Sequence, residues 1–330
     1  MSRNLLAPSV AACLLGGAAL ADVPRVAADI APVHSLVARV MQGVGAPSLI
    51  VAPGGSPHEY NLRPSEAGAL QEADVVFWVS PDLTPWLGGA LESLAGDAVT
   101  VELLETDGTK ELEMRENALF EAHDHGDDDH EDHDDHESHD DHHDEDHHDE
   151  GAAGHDDHGH GDHDPHAWLS PDNGAAWLDA IAATLAKVDP QNADAYRENA
   201  AAGRRELHTL KGEISATLDP VRGSNFIVFH DAYQYFETAF DIAASGAISL
   251  SDASDPSPSQ IAAIQARVAD QNVTCVLSEP QFNPGIVASV MDGSDARTGV
   301  LDPLGSGLEP GPDLYPRLLQ NLAQALAGCL

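Results

Sequence analysis

Residues 189–220 read DPQNADAYRENAAAGRRELHTLKGEISATLDP, and this stretch decides the predicted architecture. Small or apolar residues recur along it every three or four positions, at Ala193, Tyr196, Ala200, Gly203, Leu207, Leu210, Ile214 and Leu218. This period places them on one face of an α-helix, which the prolines at 190 and 220 delimit. Because a helix of about 28 residues spans about 40 Å, we predict a stiff connector rather than a flexible hinge.

On both sides of this connector, short apolar runs alternate with helical patterns. Strands are predicted at residues 25–28, 48–52, 75–79, 99–103, 225–229, 247–250, 273–278 and 300–301. Helices are predicted at residues 33–43, 64–72, 170–187, 190–218, 258–271 and 284–291. Two of them begin with a serine before a proline, Ser170 and Ser257, which is typical of a helix N-cap. The alternation favours α/β lobes with parallel sheets.

The chain is expected to divide into a leader at residues 1–21, an N-terminal lobe at 22–169, a connector at 170–219 and a C-terminal lobe at 220–330. In the leader, Arg3 precedes an apolar run, and Ala19 and Ala21 form an A-x-A cleavage signal, as in a cleavable secretory signal peptide. A lipidated Cys13 is the alternative. No later stretch reaches the roughly 18 apolar residues of a membrane helix, so we expect a soluble, exported protein.

The charge of the chain is strongly negative, with a formal net charge of −41. Nucleic acid and anionic lipid are therefore not expected as partners. Residues 121–164 alone hold 21 of the 56 acidic residues and 14 of the 19 histidines, and no lysine or arginine. Because this tract has no apolar face to bury, we predict a disordered loop when no metal is bound.

The histidines of this tract are candidate ligands for additional metal ions, since neutral imidazole binds metal and protonated imidazole does not. Such binding is expected to weaken as the pH falls through about 6.5. Sensing of high zinc and an inert, solvated spacer are the alternatives. The candidate ligands are His123, His125, His130, His133, His136, His139, His142, His143, His147, His148, His155, His158, His160 and His163.

Two cysteines remain after the predicted cleavage, Cys275 and Cys329. In an oxidising compartment an even pair of cysteines is typical of a disulfide. This disulfide would tie a predicted strand to the C-terminus and stabilise the protein by about 2–4 kcal/mol. Two buried free thiols are the alternative.

Four polar residues end or closely follow predicted strands: His58, His230, Glu279 and Asp302. A fifth candidate, His166, lies just before the connector. Ligands of open α/β sheets bind beyond the carboxyl ends of the strands, so these side chains are expected to meet.

The residue types of these candidates favour zinc, because imidazole nitrogen suits Zn²⁺ and sites made of oxygen atoms suit Mn²⁺, Mg²⁺ or Ca²⁺. Three histidines with one carboxylate or water give four-coordinate zinc. Carboxylates behind the ligands would orient the imidazole rings, and Glu279 and Asp231 are the candidates for this role.

Several stretches together resemble one family. They are GGSPHEYNLRPS at residues 54–65, ADVVFWV at 73–79, HAWLSP at 166–171, FHDAY at 229–233, SEPQF at 278–282 and LDPLG at 301–305. In order and spacing the chain is similar to the zinc-specific solute-binding proteins of bacterial ABC importers, the ZnuA-like group of a family with manganese- and iron-binding relatives. The resemblance covers nearly the whole chain after the leader.

The resemblance implies two Rossmann-like α/β lobes with parallel sheets joined by a long α-helix, with metal in the interlobe cleft. It implies that His58, His166 and His230 are the ligands and that Cys275 and Cys329 form a disulfide. Manganese-binding relatives usually have a carboxylate where His230 stands, which favours zinc here. Asp302 or water is expected as the fourth ligand.

The function implied by the resemblance is a periplasmic, monomeric zinc-binding protein without enzymatic activity. Its expected partners are the membrane permease of a zinc ABC transporter and the ATPase of that transporter, with a periplasmic zinc donor protein as a further candidate. The alternatives are a manganese- or iron-binding protein of the same family, an adhesin or metal buffer without a transporter, and a zinc-dependent hydrolase. No H-E-x-x-H motif supports the hydrolase.

Overall fold

A computed structural model describes residues 23–115, 117, 119, 120, 163–249 and 256–330. The predicted leader, residues 1–21, lies outside the described residues. So do residues 121–162, and with them every candidate histidine of the tract except His163.

The first lobe is a parallel four-stranded sheet with the strand order β2-β1-β3-β4. Its strands are β1 (Val26–Ala28), β2 (Ser48–Leu49), β3 (Val75–Trp78) and β4 (Val99–Glu102), and its helices are α1 (Ala31–Val40), α2 (Pro64–Glu72) and α3 (Leu87–Leu94). Every residue of β1 and β3 is buried. Central strands of a parallel sheet are covered on both faces, which explains why these two contain only apolar residues.

Two helices, α4 (Pro171–Val188) and α5 (Ala193–Leu218), connect the lobes. The prediction of the helical face of α5 is confirmed, because its buried residues are the eight predicted from the sequence. The helix has 26 residues and begins three positions later than predicted. Asp189 is the reason: its carboxylate accepts hydrogen bonds from Asn192 Nδ2 (2.6 Å) and Tyr196 Oη (2.8 Å), so the residues between form a turn.

The second lobe repeats the architecture of the first, with the strand order β6-β5-β7-β8 and parallel pairing throughout. Its strands are β5 (Phe226–His230), β6 (Gly246–Ser249), β7 (Cys275–Ser278) and β8 (Arg297–Val300), and its helices are α6 (Gln234–Phe240), α7 (Pro258–Asp270) and α8 (Pro284–Val290). The prediction of two parallel-sheet lobes joined by a long helix is confirmed.

The last helix, α9 (Leu314–Cys329), packs against α1 of the first lobe, α5 of the connector and β8 of the second lobe. At its start, Tyr315 Oη donates to the carbonyl of Trp168 (2.7 Å), and Tyr315 N donates to Ser35 Oγ (2.9 Å). The ring lies so close to Gly174 that a Cβ there would meet Tyr315 Oη at 2.4 Å. At its end, Cys329 forms the predicted disulfide with Cys275, with a Cα–Cα distance of 5.8 Å.

The predicted helix N-caps agree with the structure, whereas the last strand and three helices differ from the prediction. Both predicted N-caps are confirmed, since Ser170 Oγ accepts from Asn173 N and Ser257 Oγ accepts from Gln260 N. The last strand was predicted at residues 300–301 and lies at Arg297–Val300, and the helices α3, α6 and α9 were not predicted. Within the described part of the chain, no helix combines the length and the apolar character that crossing a bilayer requires.

Candidate metal centre

Three histidines from different parts of the chain converge between the lobes. His58, His166 and His230 each offer one ring nitrogen, and these nitrogens all lie within 4.8 Å of one another. The Nε2 atoms of His166 and His230 are 3.4 Å apart. Two nitrogens bound tetrahedrally to one zinc ion at 2.0–2.1 Å are about 3.3 Å apart. The spacing of this pair therefore fits a shared zinc ion.

His166 is held by the residues just before it. Its ring Nδ1 lies 2.7 Å from Asp164 Oδ1, and the same oxygen accepts a hydrogen bond from His166 N at 2.9 Å. Both side chains are buried. An imidazole that donates its Nδ1 proton to a carboxylate presents the lone pair of Nε2, and the Nε2 of His166 lies on the side of His230.

His230 ends β5 and is supported in the same way from the neighbouring strand. Its Nδ1 lies 2.6 Å from Oε1 of Glu279, which follows β7, and both side chains are buried. A second contact fixes the carboxylate, since Gln281 Nε2 donates to Glu279 Oε2 at 3.1 Å. The structure thus places Glu279 where the sequence analysis expected an orienting carboxylate.

His58 is the half-buried member of the three, and its ring centre lies 5.5 Å from that of His166. It belongs to the irregular segment between β2 and α2, residues 50–63, which we call the His58 loop. Two of the three histidines therefore come from buried positions next to carboxylates, and the third comes from a partly exposed loop.

Asp302, predicted as a fourth ligand, accepts hydrogen bonds within its own turn. Its Oδ1 accepts from Leu304 N (3.2 Å) and Gly305 N (2.9 Å), and its Oδ2 accepts from Ser306 Oγ (2.8 Å). Among the described residues, the group of converging ligand atoms contains the three histidines and not Asp302. Its role as a ligand stays a prediction.

Asp231, the second predicted orienting carboxylate, pairs with an arginine. Arg115 forms ion pairs with Asp231 (2.6 Å) and Glu237 (3.0 Å) and stacks on the ring of Phe120 at 3.6 Å from the ring centre. Burial, together with the nearby Asp164 and Glu237, raises the pKa of Asp231 to about 7, against the lowering effect of Arg115. Asp231 thus anchors the chain segment that enters the tract.

The end of the predicted loop needs a correction. Residues 121–164 were predicted to be disordered, but His163 and Asp164 belong to the folded part. His163 pairs with Glu113 in an antiparallel bridge, and its Nε2 lies 3.3 Å from Glu111 Oε2. Asp164 is buried and donates its backbone N–H to Leu112 O at 2.7 Å. Burial is the largest influence on the pKa of Asp164, which it raises to about 7.

Comparison with known proteins gives a consistent result. A family model described as the periplasmic component A of zinc-uptake complexes, ZnuA, matches residues 26–329. The chain is 45% identical over 325 residues to the high-affinity zinc uptake system protein ZnuA of Brucella abortus (strain 2308), covering 98% of this chain and 97% of that protein.

A second relative and one solved structure agree with this match. The high-affinity zinc uptake system protein ZnuA of Paracoccus denitrificans (strain Pd 1222) is 43% identical over 325 residues, covering 97% of each chain. A crystal structure of ZnuA superposes with a TM-score of 0.71 at 23% identity, covering 93% of this chain and 99% of that chain. At this identity the structural likeness supports the fold alone.

Proposed function

The chain belongs to the family of periplasmic zinc-uptake components, ZnuA, and from this premise we propose that it binds Zn²⁺ in the periplasm and delivers it to an ABC-type importer. The permease of that importer is the proposed docking partner, and the ATPase of the importer drives transport. Zinc is the transported substrate and is bound only until it is delivered.

The observation that carries this proposal is the convergence of His58, His166 and His230, with ligand nitrogens within 4.8 Å of one another. The Nε2 atoms of two buried imidazoles face each other at 3.4 Å. Each of these nitrogens can offer a lone pair to one divalent ion placed between them. Imidazole nitrogen suits Zn²⁺, whereas Mn²⁺, Mg²⁺ and Ca²⁺ prefer oxygen ligands.

Binding then needs little rearrangement around His166 and His230. Asp164 and Glu279 hold the rings of His166 and His230 through their Nδ1 atoms, so both Nε2 atoms are directed before zinc arrives. His58 completes the set of three protein ligands, and water or Asp302 takes the fourth position. Because α5 and α9 brace both lobes, we expect loop movement on binding rather than a large lobe rotation.

Competition between Zn²⁺ and Mn²⁺ tests the metal preference. Three imidazoles should favour zinc over manganese by several orders of magnitude, since affinity of a nitrogen site rises along the series from Mn²⁺ toward Cu²⁺ and Zn²⁺. Comparable affinities for the two ions would favour the manganese- or iron-binding alternative instead. Measurement of metal content after exposure to an equimolar mixture provides an independent check.

For the tract we propose auxiliary capture of zinc near the site. The tract lies between Phe120 and His163 in the sequence, and His163 is only three residues before His166. A deletion to test this role should remove residues 121–162 and keep Asp164, because that carboxylate supports His166. The shortened protein should keep one tight site and lose the weaker sites. An unchanged zinc stoichiometry would contradict the auxiliary role.

The proposal also covers the oligomeric state, the export and the further partners of the protein. We propose a monomer, a cleavable leader for export, no catalytic activity, and a periplasmic zinc donor protein as an additional partner. Light scattering of the purified protein with and without zinc tests the monomeric state, and a stable dimer in either condition would contradict it. Incubation with esters and phosphoesters at full zinc occupancy tests the absence of hydrolysis.

A further inference from the structure

The His58 loop is built around Tyr60. Tyr60 Oη accepts a hydrogen bond from Ala52 N at 3.2 Å and donates one to Glu66 Oε1 at 2.8 Å. Its ring lies over Gly55, where a Cβ would come within 2.7 Å of Tyr60 Cε2. These contacts fix the two ends of the loop relative to α2 and leave the part that carries His58 between them.

A contact from another element reaches the loop at the residue directly before His58. Trp86, the N-cap of α3, donates its indole N–H to the carbonyl oxygen of Pro57 at 2.7 Å. The indole ring also packs near Tyr60, with 5.7 Å between the ring centres. The distance is short for an N–H···O hydrogen bond, and the peptide group it holds joins Pro57 to the metal-binding candidate.

We propose that Trp86 is a positioning residue for the metal site, and that its hydrogen bond to Pro57 sets the rate at which the bound cation leaves by holding His58 in place. This proposal rests on the proposed function, since it takes His58 as a ligand. Trp86 itself does not touch the cation and acts only through the loop.

The difference in burial among the histidines supports this role. His166 and His230 are buried, each beside a buried carboxylate, whereas His58 is half-buried on a loop. The ligand that detaches with the least disruption of packing is therefore His58, and release of zinc starts there. A hydrogen bond that restrains this loop slows detachment, and it changes the dissociation rate more than the association rate.

The test uses the full-length protein loaded with one equivalent of zinc, with the dissociation rate measured by transfer of zinc to an excess of chelator. Trp86→Phe keeps a ring beside Tyr60 and removes the indole N–H. Loss of one hydrogen bond should speed zinc release by about three- to tenfold, with the association rate unchanged within about twofold.

Trp177→Phe is the matched control. Its indole N–H donates to Thr109 Oγ1 at 3.0 Å, so the substitution removes the same kind of hydrogen bond within the packing of α4. This variant should be less stable than the wild type and release zinc at the wild-type rate. Trp86→His, which retains a ring N–H, should restore part of the slow release.

A double-substitution cycle separates positioning from a general structural effect. In a His58→Ala background the loop no longer carries a ligand, so adding Trp86→Phe should not speed release further. An equal acceleration in both backgrounds, or no acceleration by Trp86→Phe alone, would overturn the role of Trp86. If His58→Ala by itself leaves zinc affinity unchanged, then the proposed ligand set fails instead.

Discussion

The two lobes share a strand order, but they use the carboxyl end of the central strand differently. In the first lobe, Asp29 follows β1 and is fully buried, and its two oxygens accept from Ile30 N (2.7 Å) and Val79 N (2.8 Å). In the second lobe, β5 ends on His230, which faces Glu279 at the end of β7. The carboxylate of the first lobe is thus used by hydrogen bonds to the backbone, whereas the imidazole of the second lobe belongs to the proposed metal site.

The two lobes also contribute differently to the proposed site. His58 comes from a loop of the first lobe, whereas His166, just before the connector, and His230, in the second lobe, are buried beside the carboxylates of Asp164 and Glu279. We call these two histidines with their carboxylates the braced half of the site. A site with one braced half and one half on a loop suits a protein that must bind its ion firmly and then release it to a partner.

The largest expected effect is the loss of zinc affinity when a proposed ligand is replaced. His230→Ala should weaken zinc binding by more than about 100-fold, beyond what loss of a supporting partner usually costs, because it also leaves Glu279 buried without its imidazole. His58→Ala should cost less, since water can take the position of a half-exposed ligand. Competition with a chelator of known affinity measures the zinc affinity of both variants. A larger loss of affinity for His58→Ala would show that His58, and not His230, is the more strongly held ligand.

Loss of Arg115 should affect stability strongly. Arg115→Gln leaves Asp231 and Glu237, whose side chains are 7% and 8% exposed, without their cation. Breaking a buried ion pair from one side costs about 3–5 kcal/mol, so the free energy of unfolding should fall by that order. Arg204→Gln is the control, because its pair with Asp179 is about half exposed and should contribute less than about 1 kcal/mol. Equal losses would mean that the ion pairs of Arg115 do not anchor the chain segment that enters the tract.

The buried carboxyl group of Asp29 in the first lobe should make the stability of the protein depend on pH. Burial raises the pKa of Asp29 to about 7 despite its backbone hydrogen bonds. The native state then keeps a proton that the unfolded state has already lost, so this residue makes the protein less stable as the pH rises from about 4 to about 7. The penalty is a few kcal/mol, with about 4 as an upper value.

Urea unfolding of Asp29→Asn at several pH values measures this contribution. The variant should lose the part of the pH slope that disfavours folding between about pH 4 and 7. Asp74→Asn should change the slope in the opposite sense and by less, because a hydrogen bond from exposed Arg25 lowers the pKa of Asp74. A wild-type slope in Asp29→Asn would show that the pKa of Asp29 is the same in the folded and the unfolded protein.

The smallest expected effects concern the two carboxylates behind the histidines. Glu279→Gln and Asp164→Asn keep the size of each side chain and remove its charge. Each should weaken zinc binding by about 10- to 100-fold, without a change in stoichiometry. Isothermal titration of the two variants measures their zinc affinity. Wild-type affinity in both would show that these carboxylates do not orient the rings of His230 and His166 for zinc binding.

Much of the fold was predictable because it depends on local patterns. The buried face of α5 follows from its apolar period, and the central strands follow from their apolar runs. The helix α9 carried a comparable signal, with Leu314, Leu318, Leu322 and Leu326 four residues apart, and could have been predicted.

Parts of the site depend on contacts that no local pattern encodes. Arg115 and Asp231 are 116 positions apart. Asp164 does not differ in type from the acidic residues of the tract before it, and its burial depends on the pairing of its strand segment with Leu112. Trp86 reaches Pro57 only because α3 and the His58 loop meet in the folded lobe. His58 and His230 were predicted from their places after strands and His166 from its place before the connector, whereas Arg115, Asp164 and Trp86 were not predicted.

The central claim is that one zinc ion is held by His58, His166 and His230. Anomalous diffraction from crystals of the zinc-loaded protein, recorded just above and just below the zinc absorption edge, tests it most directly. We expect a single strong peak at full occupancy, about 2.0–2.1 Å from one nitrogen of each of the three rings. A zinc peak elsewhere, with none between these histidines, would contradict it.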